Sequence, residues 1–226
     1  MLSVPASPAV GQDSPSGVKP AIVHQFKVED TDFAFMAVHL QRFTKQCWGR
    51  ACEIHRMFEM PKTLPWKHVI PVFDPGFTNR QAIDWCLSTQ QIAHVNEFDL
   101  GKFTGAEASE KPRLFIMENS VVPTPDTMGK SANELSASGR KFADMCTYVI
   151  GFGLRYFVQK DYVDQRTRTL FPDNRVGRER WPLSATWMQM APVGPKLYLE
   201  TVAPDGTDEF PEYSGAREVV EVPFMV

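Results

Sequence analysis

Between residues 33 and 58 the large apolar side chains recur at alternating intervals of three and four: Phe33, Met36, Leu40, Phe43, Cys47, Ala51, Ile54 and Phe58. That spacing predicts one helix with a continuous apolar stripe, opened by Asp30 or Asp32 and ended before Pro61. Arg42, Lys45, Glu53 and Arg56 fall on the opposite side. Phe35, Val38 and Trp48 lie off the stripe, which predicts a second packing surface on the same helix. Ser131 and Glu134 have capping-box spacing and open a long helix to about Val158. There Phe142, Met145, Cys146, Val149, Phe152, Tyr156 and Phe157 form a broad apolar arc, and Arg140, Asp144, Thr147 and Arg155 a narrow polar strip. A helix so apolar is central, with Val149 and Phe152 fully buried. Thr78 and Gln81 form another capping box, opening a helix from Asn79 to about Leu87 or on to Phe98, with a stripe that degrades at Ser88–Gln91.

Extended segments have a different signature. Leu114–Met117 (LFIM) is a continuous apolar run between Pro112 and Asn119, as expected of a buried strand. Trp66–Phe73 is extended but carries Pro71, which confines it to a sheet edge or an irregular path. Ala185–Ala191 and Lys196–Val202 alternate with period two around the turn Pro192–Pro195, and Val219–Phe224 adds a third strand. Residues 159–184 are polar, punctuated by Pro and Gly, and are read as connection. The expected fold is α+β: a mainly helical core of three principal helices, a short strand, and a C-terminal antiparallel β unit.

The division along the chain follows. Residues 1–25 are an extended arm rich in Pro, Ser and Gly, too poor in apolar side chains to offset their own ordering entropy. The expectation is that a neighbouring surface holds this arm. Residues 26–184 form the helical core domain with its loops, and 185–226 the β unit with an acidic tail.

Charge narrows the functional classes. The 226-residue chain has a net charge of -3, so nucleic-acid binding would need a local basic patch. The charges are uneven: Glu200–Glu221 holds seven acids against Arg217 alone, and Arg155–Arg180 seven basic residues against four acids. The acidic stretch either solvates the chain end or docks on a basic face. Four cysteines without framework spacing fit a reducing, intracellular setting, with an organellar or virion-associated place left open. The longest apolar run, Cys146–Phe157, is too short to cross a bilayer, so a soluble or peripheral chain without a transmembrane span is expected.

Candidate chemistry is sparse. Gly129-Lys130-Ser131 lacks the first glycine of a phosphate loop, since position 124 is Thr124 between two prolines that stiffen the backbone and delete a donor. Cys47, Cys52 and His55 invite a metal reading. On one intact helix, though, two cysteines five residues apart are rotated by about 140° and cannot share an ion. No nucleophile or zinc-protease motif is present, and no motif carries a family resemblance. No cofactor, metal or catalytic residue is assigned.

The functional candidate is the stretch Arg166–Trp181, read as a flexible loop. Arg166, Arg168, Arg175, Arg178 and Arg180 alternate there with Phe171 and Trp181. Arginine and aromatic side chains can grip phosphates and stack on bases, and they are also enriched at protein interfaces. The acids that share the stretch favour a protein partner. The sequence therefore points to a non-catalytic structural or interaction subunit of a larger multiprotein assembly, homo- or hetero-oligomeric, anchored by the N-terminal arm. The alternatives are a nucleic-acid-coating or nucleoprotein subunit using the basic, aromatic stretch, and an enzyme without a recognisable motif.

Overall fold

The computed structural model describes residues 25–49, 51–78, 80–82, 84–85, 103–104, 111–176, 181–190, 194–205 and 211–225. Among the described residues the helices with both ends in view are α1 (Phe33–Trp48), α2 (Ile54–Met57), α3 (Ala132–Ala137) and α4 (Met145–Gln159), and residues 80–82 and 84–85 are helical as well. Its strands are β1 (Phe26–Lys27), β2 (Thr63–Leu64), β3 (Val69–Asp74), β4 (Phe103–Thr104), β5 (Arg113–Glu118), β6 (Arg168–Val176), β7 (Trp181–Met190), β8 (Gly194–Thr201), β9 (Ser214–Gly215) and β10 (Val219–Val222). They form three sheets. β1 pairs with β2, β5 lies between β10 and β3, and the third runs β4-β6-β7-β8 with β9 parallel to β6.

This overturns the expectation of a mainly helical core with three principal helices, a short strand and a separate C-terminal β unit. The polar stretch read as connection contains β6, which pairs with β7 and extends the β7–β8 hairpin into a larger sheet. Its ladder shifts register between Phe171 and Arg175, and that irregularity accommodates Pro172. The last strand, β10, leaves the hairpin and pairs antiparallel with β5.

Both long helices are shorter than the apolar stripes imply. α1 stops where Gly49 turns left-handed (φ +73°) and returns its amide to the Lys45 carbonyl. The chain then reverses, with the Cys52 amide donating to Thr44 Oγ1 at 2.8 Å. Ile54 and Phe58 are still buried, but from the separate turn α2 and a bridge to Phe224. Of the residues off the stripe, Trp48 packs against Phe73, Phe77 and Trp85, whereas Phe35 and Val38 are exposed. The span 131–158 is likewise two helices, interrupted where Gly139 takes φ +70°. Asp144 caps the second of them, accepting from the Thr147 amide at 2.7 Å. Thr78 and Gln81 exchange the expected capping hydrogen bonds, and most of the helix expected after them lies outside the described residues. The N-terminal arm lies outside them as well.

The core sits around β3 and β5. Leu114, Phe115, Ile116 and Met117 are all buried, as a central strand packed on both faces requires. β3 occupies the sheet edge, and there the missing N–H of Pro71, opposite Ile116, is tolerated. α4 lies directly on this sheet at Gly151. A Cβ there would overlap the Met117 methyl and approach Val72 Cγ2 to 2.8 Å, so the close approach requires glycine. Val149 is fully buried and Phe152 nearly so, but Thr147 and Arg155 are buried too. The polar strip of this helix therefore faces other parts of the chain.

Candidate interaction surface

The strongest electrostatic feature is internal. Arg217 and Asp164 form an ion pair at 2.7 Å, with both side chains almost wholly removed from solvent. The guanidinium also donates to Thr169 Oγ1 and to the Ser120 carbonyl, each at 3.1 Å, and lies over the Phe152 ring. Asp164 Oδ2 accepts from Tyr148 and Thr169, and Oδ1 accepts from Thr167 as well as Arg217. A buried charge pair is tolerable only when its remaining donors and acceptors are met in this way. Burial pushes the Tyr148 hydroxyl well above its ordinary range. The neighbouring Asp164 charge adds to that rise, and Arg217 partly offsets it. Through these hydrogen bonds the pair ties the segments near residues 120, 164 and 169 into one arrangement.

Those stretches build an outer surface. The Asp164 amide donates to the Val121 carbonyl at 2.9 Å, setting the exposed Val121 and Val122 beside the chain that leads to Arg166. Just beyond, Arg166, Thr167 and Arg168 line an open cleft of about 270 Å³ with Thr186, Tyr213 and Ser214. Tyr213 is 52% exposed. Arg168 pairs with Glu200 at 3.1 Å, while Arg166 is exposed and has no hydrogen-bond or ion-pair partner among the described residues. An unpaired guanidinium beside exposed valines and a tyrosine can hold an anionic group and cover apolar surface together.

The residues singled out from the sequence are not gathered on one flexible loop. The expected loop is replaced by β6 and the start of β7. Arg166 and Arg168 meet at the cleft. Phe171 is buried, with its ring 5.2 Å from that of Tyr148, and offers no stacking face to a ligand. Arg175 points toward α3, where Asn133 and Ser136 accept from it at 3.4 Å. Trp181 is 38% exposed at the start of β7, and Arg178 and Arg180 lie outside the described residues. Sequence reasoning missed Val121, Val122, Thr186, Tyr213 and Ser214. Only the Val121-Val122 pair, apolar in a proline-bearing loop, carried a signal.

Other candidates take structural roles. Ser131 and Glu134 cap α3 reciprocally, and hydrogen bonds from the Ser131 backbone and then its side chain hold the Glu134 carboxyl below its usual range. Gly129 takes φ +77° and donates to the Ser214 carbonyl. The break after α1 removes the helix-phase argument about Cys47 and Cys52. Among the described residues, no group of three or more His, Cys, Asp or Glu side chains is placed to hold a metal ion. Among them too, no helix is long and apolar enough to cross a membrane. Three acids of the 200–221 stretch meet basic residues of the body: Glu200 with Arg168, Glu218 with Arg140 at 2.6 Å, and Glu221 with Lys141.

No family model, curated protein or solved structure matches the chain.

Proposed function

We propose that the chain is a non-catalytic interaction subunit of a larger protein assembly. It meets a protein partner through the surface formed by Val121, Val122, Arg166 and Tyr213, and its N-terminal arm adds a second attachment. The observation that carries this reading is the exposed Arg166, with no hydrogen-bond or ion-pair partner among the described residues, in an open cleft whose rim includes the exposed Tyr213. Arginine and tyrosine are among the residues that dominate binding energy at interfaces, and they do so next to apolar contacts that exclude water. The buried Arg217–Asp164 pair supports the reading further. It fixes the flanking segments, so less conformational entropy is lost on association. Glu200, paired with the cleft residue Arg168, and the exposed Glu212, next to Tyr213 in the chain, disfavour a phosphate backbone.

Placing a photo-crosslinking amino acid at position 122 tests this in the source cell, together with the native mass of the tagged chain. The expected result is one dominant protein adduct from position 122, none from position 56, and a native mass well above 25.6 kDa. A free monomer without adducts refutes the proposal. Salt-sensitive adducts to RNA or DNA would establish the nucleoprotein alternative in its place.

A further inference from the structure

The outward face of α1 carries a pattern that the core does not use. The helix buries Phe33, Met36, Ala37, Leu40, Phe43 and Thr44. Along the opposite line, at intervals of three, four and three, stand Phe35, Val38, Arg42 and Lys45, all exposed. Phe35 is 58% and Val38 49% exposed, and the His39 ring packs against that of Phe35 at 4.5 Å, which restricts its rotamers. The side chains of Arg42 and Lys45 have no hydrogen-bond or ion-pair partner among the described residues. α1 itself holds no acid. Of the acids nearest to it in the chain, Glu53 pairs with Arg56 and Asp32 with His68. Glu29 and Asp30 lie in the turn before the helix, at the end away from Arg42. Two apolar side chains followed by two unmatched cations therefore run along about 15 Å of helix.

We propose that this face receives an amphipathic helix of a partner protein, antiparallel to α1, with two apolar side chains over Phe35 and Val38 and two carboxylates over Arg42 and Lys45. The surface is separate from the Arg166 cleft and adds an independent contact to the interaction-subunit reading. Spacing of three, four and three is that of a seam between paired helices, where each side chain fits between those of the facing helix. The cations set the partner's charge. A carboxylate opposite Arg42 or Lys45 gains an ion pair that no described residue supplies, whereas a basic segment is repelled. The antiparallel order follows from the helix dipole. It places the partner's acids in that helix's own first turns, where negative charge is stabilised, and keeps them clear of Glu29 and Asp30. Val38, between the ring and the cations, offers no face on which a base can stack, which favours a protein helix over a nucleic-acid strand.

Chemical-shift titration of the isotope-labelled full chain tests this, because it reads weak binding and locates it. The probe is the peptide Ser-Glu-Ala-Ala-Glu-Ala-Gln-Ala-Leu-Ala-Gln-Leu-Ala-Gln, stapled on its far face to hold it helical. Its glutamates and leucines have the spacing of the seam. A counterpart with glutamine for both glutamates, another with glutamates and leucines exchanged, and an oligouridylate serve as comparisons. The amide signals that move should be those of α1 between Phe35 and Lys45. Arg42→Gln with Lys45→Gln should weaken binding about threefold to tenfold, the scale of two exposed ion pairs. Phe35→Ala should weaken it about tenfold, the scale of an apolar anchor. Lys130→Gln, an exposed cation elsewhere, should change nothing. All four positions are exposed, and circular dichroism confirms that each variant keeps the fold. Shifts absent from α1, equal affinity for the glutamine peptide, or unchanged affinity in either α1 variant overturns the proposal. Tighter binding of the exchanged peptide or of the oligouridylate does so too. So does binding that needs removal of residues 1–24, or self-association that Phe35→Ala abolishes, because this chain itself then covers the face. None of these outcomes bears on crosslinking at position 122, which tests the cleft reading by itself.

Discussion

Replacing Arg217 by Met is the most demanding test of how this fold is held together. Methionine keeps much of the contact with Phe152 while removing the charge and three hydrogen bonds: to Asp164, Thr169 and the Ser120 carbonyl. Asp164 stays buried with only hydroxyl donors from Tyr148, Thr167 and Thr169, and the Ser120 carbonyl loses its guanidinium donor. Removing one member of a buried ion pair costs about 3–5 kcal/mol, a large share of the ~5–15 kcal/mol that holds a domain folded. For a chain of this size each kcal/mol moves the thermal midpoint by about 2–4 °C, so Arg217→Met should lower it by roughly 6–20 °C. Thermal unfolding followed by circular dichroism measures the shift. If the cost comes from an orphaned charge, Arg217→Met with Asp164→Asn should be more stable than Arg217→Met alone, because the second change neutralises that charge. A fall of less than about 2 °C for the single variant refutes the reasoning. A double variant no better than the sum of its parts refutes it as well.

Gly151→Ala should cost about 1–3 kcal/mol by forcing α4 off the Met117 and Val72 side chains, with partial recovery when Met117 is also changed to Val; urea midpoints read both. Asp144→Ala should cost about 1 kcal/mol through loss of the cap on the Thr147 amide, measured in the same denaturation series. Burial pushes the Glu118 carboxyl up, against the opposing charges of Arg217 and His68. Folding therefore raises its proton affinity. Its contribution is fully present below the unfolded value near 4.3 and declines as pH rises through the folded value. Glu118→Gln should accordingly raise the thermal midpoint at neutral pH, with the gain vanishing toward about pH 4, and a gain that is constant with pH would contradict this.

What the sequence revealed depended on whether its signal was local. The run Leu114–Met117 reads as a buried strand because the core covers both of its faces, and Pro71 marks an edge because a missing donor is tolerated only there. The apolar stripe from Phe33 to Phe58 misled for a physical reason. Ile54 and Phe58 enter the same core whether or not the helix continues, so periodicity alone does not register the turn at Gly49. The glycine after Trp48 was the available stop signal. β6 was hidden by Pro172, Asp173 and Asn174, whose polarity suits a loop and whose backbone is accommodated by the register shift. The surface was the least legible part. Residues near 120, 164 and 169 are tied together by a pair separated by 53 positions, residues 214–215 join them through the parallel pairing of β9 with β6, and Arg217 looked like the lone opponent of an acidic tail when it is the partner of a buried aspartate.

The placement of β10 beside β5 also has a consequence for how the chain is made. The central strand of the three-stranded sheet, β5, is synthesised about 100 residues before β10, the strand that closes its second edge, as the 97-residue separation between Ser120 and Arg217 illustrates. At roughly 5–20 residues per second, the Leu114–Met117 run waits on the order of 5–20 s on the ribosome with one edge open. Such a segment, apolar and uncharged between Arg113 and Glu118, is the kind that pairs with other nascent chains when its neighbour is late. Arg113 and Glu118 at its two ends act as gatekeepers during that interval. High yield of this protein should therefore depend on slow synthesis or on chaperone cover of β5 more than on the stability of the finished fold.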